Sequence, residues 1–331
     1  MANSGARELE LGREVLSPAL RTRIRLLELR TRRLAFGDVS GAYRSSFRGS
    51  GIEFEEVRPY QPGDDVRTID WKVTARTGDP YVKTYTEERQ LRLHLVVDTS
   101  RSMDFGSKDA TKREVAAEVA ALVTGAAAAQ RDLVGLDLFS HGRRRHVRPQ
   151  SGRAQVLRIV GAIAAEPALS ADGNGLAATL EALEKVLGRR GVLLVVSDFR
   201  GEDDQRWPVV AARLARRHDL VCVRVTDPLE EELPRAGWLA FEDPETGRVV
   251  DVDTNSRAVR EAWAADARAR RAAFEAAARR ARAGAVELTT VPRTLGGSTD
   301  PLIAFFRARG TRSAHVASSA PKSSRERGGA V

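Results

Sequence analysis

Cysteine occurs once in the 331 residues, at Cys222. A single thiol excludes an internal disulfide and a thiolate zinc cluster. Its place in the apolar run Leu220-Val221-Cys222-Val223 makes it an inert core side chain. Aromatic residues are scarce as well, at 5% of the chain, so a core must be assembled mainly from Leu, Val and Ala. No window approaches the roughly 18 apolar residues that a membrane-spanning helix needs. The N-terminus has no apolar stretch of the secretory kind, and a reducing, cytoplasmic setting is the expectation. Also missing are a Gly-x-x-x-x-Gly-Lys-Ser/Thr run, which excludes a P-loop ATPase, and a Gly-x-Ser-x-Gly elbow. His94, His141, His146, His218 and His315 lack the spacing of a zinc-binding helix.

What is abundant is arginine. Of 54 basic residues only about six are lysine, and the formal charge is +9. Such a balance suits nucleic acid, a membrane surface or an acidic partner. Acidic residues are interspersed almost everywhere, which favours compositional bias in an Ala- and Arg-rich protein. Arg143-Arg144-Arg145 could touch nucleic acid, but no aromatics are interleaved with it, and a solvated hairpin turn is the simpler reading.

The chain is organised around Leu93-His94-Leu95-Val96-Val97-Asp98-Thr99-Ser100-Arg101-Ser102. An apolar, partly β-branched run is expected to be a strand buried on both faces. Asp98 then stands at its carboxyl end, where open α/β sheets place ligand sites. Asp98, Ser100 and Ser102 form an all-oxygen donor set suited to a hard cation. The alternative is that the serines cap the next helix. A second buried strand, Val192–Val196, also ends in a carboxylate, Asp198, and the turn Gly173-Asn174-Gly175 opens a helix between the two.

Around these points the hydrophobic period alternates between helix and strand. Helices are expected over 110–130, 153–165, 176–187, 205–217, 256–283 and 300–309, and strands at 93–97, 133–139, 145–147, 220–225 and 286–291. Pro244-Glu245-Thr246-Gly247 marks a hairpin insert at 238–253. Alternation of this kind implies an α/β fold, a doubly wound, mostly parallel sheet. The expected domains are a tail and basic helix at 1–36, a β-rich module at 37–90 pairing strands near 52–58 and 81–88, the α/β domain at 91–309, and a disordered tail at 310–331. The basic helix from Ser17 either packs a solvated face on the main body or docks an anion.

Asp98-x-Ser100-x-Ser102, the Gly-rich helix entry and Asp198 together resemble the metal-ion-dependent adhesion site of von Willebrand factor A-like domains, over roughly residues 91–308. That resemblance implies Mg²⁺ or Mn²⁺ held by Asp98, Ser100 and Ser102, with Asn174 and Asp198 helping mainly through water. Asn174 stands where the family usually has threonine, and its amide oxygen is a possible ligand. Upstream, the run from Arg58 to Arg76, with Asp70-Trp71-Lys72 at its centre, and Gly49 to Phe54 before it, resembles the signature of the domain-of-unknown-function-58 family. Its charged residues read either as an ion-pair network or as a recognition surface. This second resemblance implies a MoxR-type AAA+ ATPase or its client protein as partner, and the lack of a clear general base beside the loop favours a non-enzymatic adaptor over a hydrolase. The rival classes are a basic nucleic-acid-binding protein and a purely structural domain with a degenerate metal site.

Overall fold

A computed structural model describes residues 56–61, 64, 69–84, 90–108, 110–140, 143–167, 175–200, 206–244, 246–291 and 299–318. The basic helix expected from Ser17, the turn at Pro62-Gly63 and Asn174 lie outside the described residues. The chain divides into two compact units, one of them residues 48–90.

In the smaller unit, β1 (Glu56–Pro59) pairs antiparallel with β2 (Tyr81–Thr84), with Arg58 opposite Val82. A short helix, α1 (Trp71–Thr77), separates them. The backbone N–H of Val73 reaches the Asp70 carboxylate at 3.3 Å, satisfying one of the free donors at the start of that helix. Arg58 grips Asp64 with two parallel bonds of 2.6 and 2.7 Å, one of the ion pairs that the signature's mixed charges suggest.

The larger unit is a six-stranded sheet. In chain order its strands are β3 (Arg92–Asp98), β4 (Leu133–Ser140), β5 (Arg143–Gln150), β6 (Val192–Ser197), β7 (Asp219–Thr226) and β10 (Gly284–Thr289). Their order across the sheet is β10-β7-β6-β3-β4-β5. All neighbours run parallel except β4 and β5. This is a doubly wound α/β sheet whose order reverses between β3 and β6, the place where such sheets open a crevice at their carboxyl ends.

Helices cover both faces. Against Leu93, Leu95 and Val97 lie α2 (Lys112–Ala129), α3 (Arg153–Ala165) and α8 (Asp300–Ser318). Against Val96, Leu193 and Val195 lie α4 (Leu176–Val186), α5 (Trp207–Ala215) and α7 (Arg257–Arg280). Leu95, Val96 and Val97 are fully buried, and each such side chain contributes about 1.5–3 kcal/mol relative to exposure. Helix α2 starts with a capping box in which Thr111 and Glu114 satisfy each other's backbone N–H groups. The hairpin insert is β8 (Trp238–Glu242) and β9 (Val249–Asp253), and a one-turn helix, α6 (Pro228–Glu231), follows β7.

Two expectations need correction. Helix α8 runs on to Ser318 instead of stopping at Arg309. Adding residues to a formed helix costs far less than nucleating one, and Gly310 alone does not end it. Arg143, Arg144 and Arg145 belong to strand β5, not to a hairpin turn. Pairing with β4 extends that strand well beyond the 145–147 read from the sequence.

Candidate metal and interaction site

At the carboxyl end of β3 the backbone N–H of Thr99 still bonds the Phe139 carbonyl of β4, at 2.8 Å. The chain then leaves the sheet in a single 3-10 turn, Arg101–Asp104, pinned by the buried Met103. Arg113 clamps this loop from α2. Its guanidinium donates to the Thr99 carbonyl at 2.9 Å and also to the Asp104 carboxylate and the Glu166 carbonyl. Gly106 is required where the loop turns back, since a Cβ there would stand 2.1 Å from the Ala110 carbonyl oxygen.

This frame draws three oxygen donors together. Asp98 accepts the Ser100 backbone N–H at 2.9 Å, and the Ser100 and Ser102 hydroxyls lie 3.1 Å apart. Ser100 opens the 3-10 turn without a side-chain capping bond, so its hydroxyl is turned to Ser102 instead. A hydroxyl pair at that separation matches the edge of an octahedron with bonds of about 2.1 Å, near 3 Å.

From the neighbouring strand, Ser197 donates to the second Asp98 oxygen at 2.6 Å and accepts the Phe199 N–H at 3.0 Å. Phe199 sits at φ 56°, in the left-handed region that bulky residues rarely adopt. Its ring packs 5.0 Å from Trp207 and 4.8 Å from Phe274, which holds the strained turn in place. That turn carries Asp198 into the interior beside Asp98.

The two carboxylates meet different electrostatics. Lys112, fully buried, donates to Asp198 at 2.6 Å and to Glu230 at 2.8 Å. Arg200 completes the group on Glu230 at 2.5 Å, and its backbone N–H reaches Asp198 at 3.2 Å. Burial works to raise the Asp198 pKa, but Lys112 outweighs it and holds the carboxylate below its usual range. Burial works to lower the Lys112 pKa, and the charges of Asp198 and Glu230 hold it above the usual lysine value. Two cations thus balance two anions, and Asp98 is left over. Its pKa is pushed up to about 6, first by burial and then by the charge of Asp198. Among the described residues no cation pairs with it. A buried carboxylate beside two hydroxyls, with its countercharge missing, fits a bound hard cation.

Comparison with known proteins places this geometry in a family. The family model described as "Protein of unknown function DUF58" matches residues 56–273. An uncharacterized protein of Mycobacterium tuberculosis is 34% identical over 293 residues, spanning 88% of this chain and 86% of its own. Another from Mycobacterium bovis matches to the same extent, 34% over 293 residues. The chain belongs to the DUF58 family. Solved structures similar to this DUF58 chain include the hypothetical protein BatB from Bacteroides thetaiotaomicron, at 13% identity and TM-score 0.43 over 68% of this chain and 99% of that one. The Rpn10 VWA domain is similar at 10% identity and TM-score 0.35, over 68% of this chain and 95% of that one.

Of the residues that the sequence singles out, the DUF58 fold brings Asp98, Ser100, Ser102 and Asp198 to one sheet edge. Asp104, the carboxylate at the end of the same loop, is taken by Arg113. Ser197, Lys112 and Glu230 went unnoticed in the sequence. Ser197 carried a weak signal as the neighbour of Asp198. Lys112 carried one as a rare lysine in an arginine-rich chain, placed at the first position of a helix. Glu230 carried none, because its role depends on the one-turn helix after β7. Two arginines of the basic strand meet carboxylates, Arg144 on Asp137 and Arg145 on Glu166 at 2.9 Å. Among the described residues no helix is long and apolar enough to cross a membrane.

Proposed function

We propose that this DUF58 chain is a non-enzymatic adaptor whose α/β domain binds a partner protein through a divalent cation at the carboxyl edge of β3. The observation that carries the reading is Asp98, a buried carboxylate with no ion-pair partner among the described residues, grouped with the hydroxyls of Ser100 and Ser102. Asp98, Ser100 and Ser102 would hold Mg²⁺ or Mn²⁺. Asp198 would act from behind, since Lys112 engages one of its oxygens, and Asn174 is proposed as a further, water-linked ligand. A hard cation with so few protein ligands keeps water positions that a carboxylate from another protein can take. Phe105, 36% exposed at the end of the loop, offers that partner an apolar contact.

Binding is favoured over hydrolysis by the state of the neighbouring acids. Water activation at a metal needs a positioned base, and Asp198 and Glu230 are both engaged by Lys112 and Arg200. By resemblance to the family's association, the partner is a MoxR-type AAA+ ATPase or its client. Co-purification from the native cell, with and without chelator and with Asp98→Ala as control, tests this. The expected result is an ATPase recovered with the wild type and lost on chelation or mutation. Recovery that ignores both would move the interface elsewhere, and absence of any ATPase would remove the partner.

A further inference from the structure

A second cluster of metal-type ligands lies on the sheet itself, away from the Asp98 loop. His94 comes from β3, Asp137 from β4 and His146 from edge strand β5. Parallel pairing sets His94 beside Gly135, two residues before Asp137 and so on the same face. Antiparallel pairing sets His146 directly opposite Asp137. Both imidazoles converge on one oxygen of Asp137, His94 Nε2 at 2.5 Å and His146 Nδ1 at 2.9 Å. The rings stack with centroids 5.8 Å apart. Gly135 makes this packing possible, because a Cβ there would come within 2.7 Å of His94 Nδ1.

We infer that His94, Asp137 and His146 form a site for a borderline first-row divalent ion, Zn²⁺ being the ion to test, that ties edge strand β5 to the centre of the sheet. The three ligand atoms lie within 4.8 Å of one another. Small side-chain rotations therefore suffice to bring them round one ion with bonds of about 2.1 Å. Two imidazoles and one carboxylate are the donor set of open zinc and non-haem iron centres, whereas Mg²⁺ prefers oxygen alone. Asp137 and His94 are buried while His146 is exposed, so an ion enters from the β5 side. Arg144 bonds the other Asp137 oxygen, which leaves the shared oxygen for the ion and fixes the carboxylate plane.

Two features limit the affinity. The Arg144 charge already neutralises Asp137. An ion on His94 Nε2 also puts the ring proton on Nδ1, a buried atom with no hydrogen-bond partner. Outer-shell support of that kind is worth about 10- to 100-fold in affinity, so the site is weaker than one with every ligand supported.

Tag-free, chelator-treated full chain titrated with Co²⁺ tests the inference through the visible absorption of the bound ion, followed by displacement with Zn²⁺. With Mg²⁺ in excess to fill the Asp98 loop, the expected result is one Co²⁺ per chain, displaced by Zn²⁺. His146→Ala, on the exposed edge, should weaken it about tenfold or more. Absence of Co²⁺ absorption in folded wild type would reduce the cluster to a hydrogen-bonded network and overturn the site. Equal binding by folded His146→Ala would overturn it too. Should His146→Ala fail to fold, paramagnetic broadening of the wild-type His146 ring resonances by Co²⁺ makes the same decision.

Discussion

The ammonium of Lys112 and the carboxylate of Asp198, 86 positions apart in the chain, meet at 2.6 Å with both side chains inside the protein. With Arg200 on Glu230, this pair leaves Asp98 as the carboxylate of this group without an ion-pair partner among the described residues.

Lys112→Met separates stability from cation affinity. Removing the ammonium strands Asp198 and Glu230, and loss of one partner of a buried pair costs about 3–5 kcal/mol. The more negative pocket should at the same time hold Mg²⁺ or Mn²⁺ more tightly. Urea unfolding with and without divalent ion measures both, and the metal-induced stabilisation is expected to exceed that of the wild type.

Asp98→Asn acts in the opposite sense. The amide can still accept from the Ser100 N–H and bond Ser197, while the unpaired charge is gone. Metal-free variant protein should be more stable than metal-free wild type by about 1–3 kcal/mol. Titration calorimetry should find its Mg²⁺ binding abolished. A variant less stable than wild type without metal would mean that the Asp98 charge is already compensated.

Asp227 supplies the pH dependence. It is fully buried and accepts from the Ser107 N–H at 2.8 Å, the Thr290 hydroxyl at 2.5 Å and the Leu229 N–H at 2.9 Å. Burial works to raise its pKa, and these bonds outweigh burial and hold it below the usual carboxylate range. A lowered folded-state pKa contributes stability that is complete above the unfolded value, about pH 3.9, and is lost as pH falls through the folded one. Asp227→Asn should therefore be less stable than wild type near neutral pH, with the gap closing in acid below about pH 3.9. Denaturant midpoints at a series of pH values check the sign.

Helix α8 is predicted to be integral to the α/β domain. Leu302 and Phe306 are 0% and 1% exposed in the core, on the helix packed against β10. Phe306→Ala should cost about 3–5 kcal/mol, readable as a lower thermal midpoint. A change within error of zero would show that the helix is dispensable to the core.

How much of this was readable in advance follows from which forces are local. The apolar runs before Asp98 and Asp198 declared their strands, because a parallel strand buried on both faces needs an unbroken apolar segment. The helix at 153–165 was legible to the residue from its 3.6 period. The helix expected over 110–130 starts two residues later, at Lys112, behind the capping box of Thr111 and Glu114. Serine spacing in the loop after β3 likewise suggested an oxygen site without any knowledge of neighbours.

Tertiary structure decided everything that depends on which strands are adjacent. The order β6-β3-β4-β5 puts Ser197 against Asp98 and lines His94, Asp137 and His146 across three strands, at separations that no spacing rule encodes. It also let α6 and the first turn of α2 bring Glu230 and Lys112 to Asp198. Local periodicity records which face of an element is buried. Pairing of charges in the interior is settled only when distant segments pack, since a buried charge is tolerated only where another element supplies its partner.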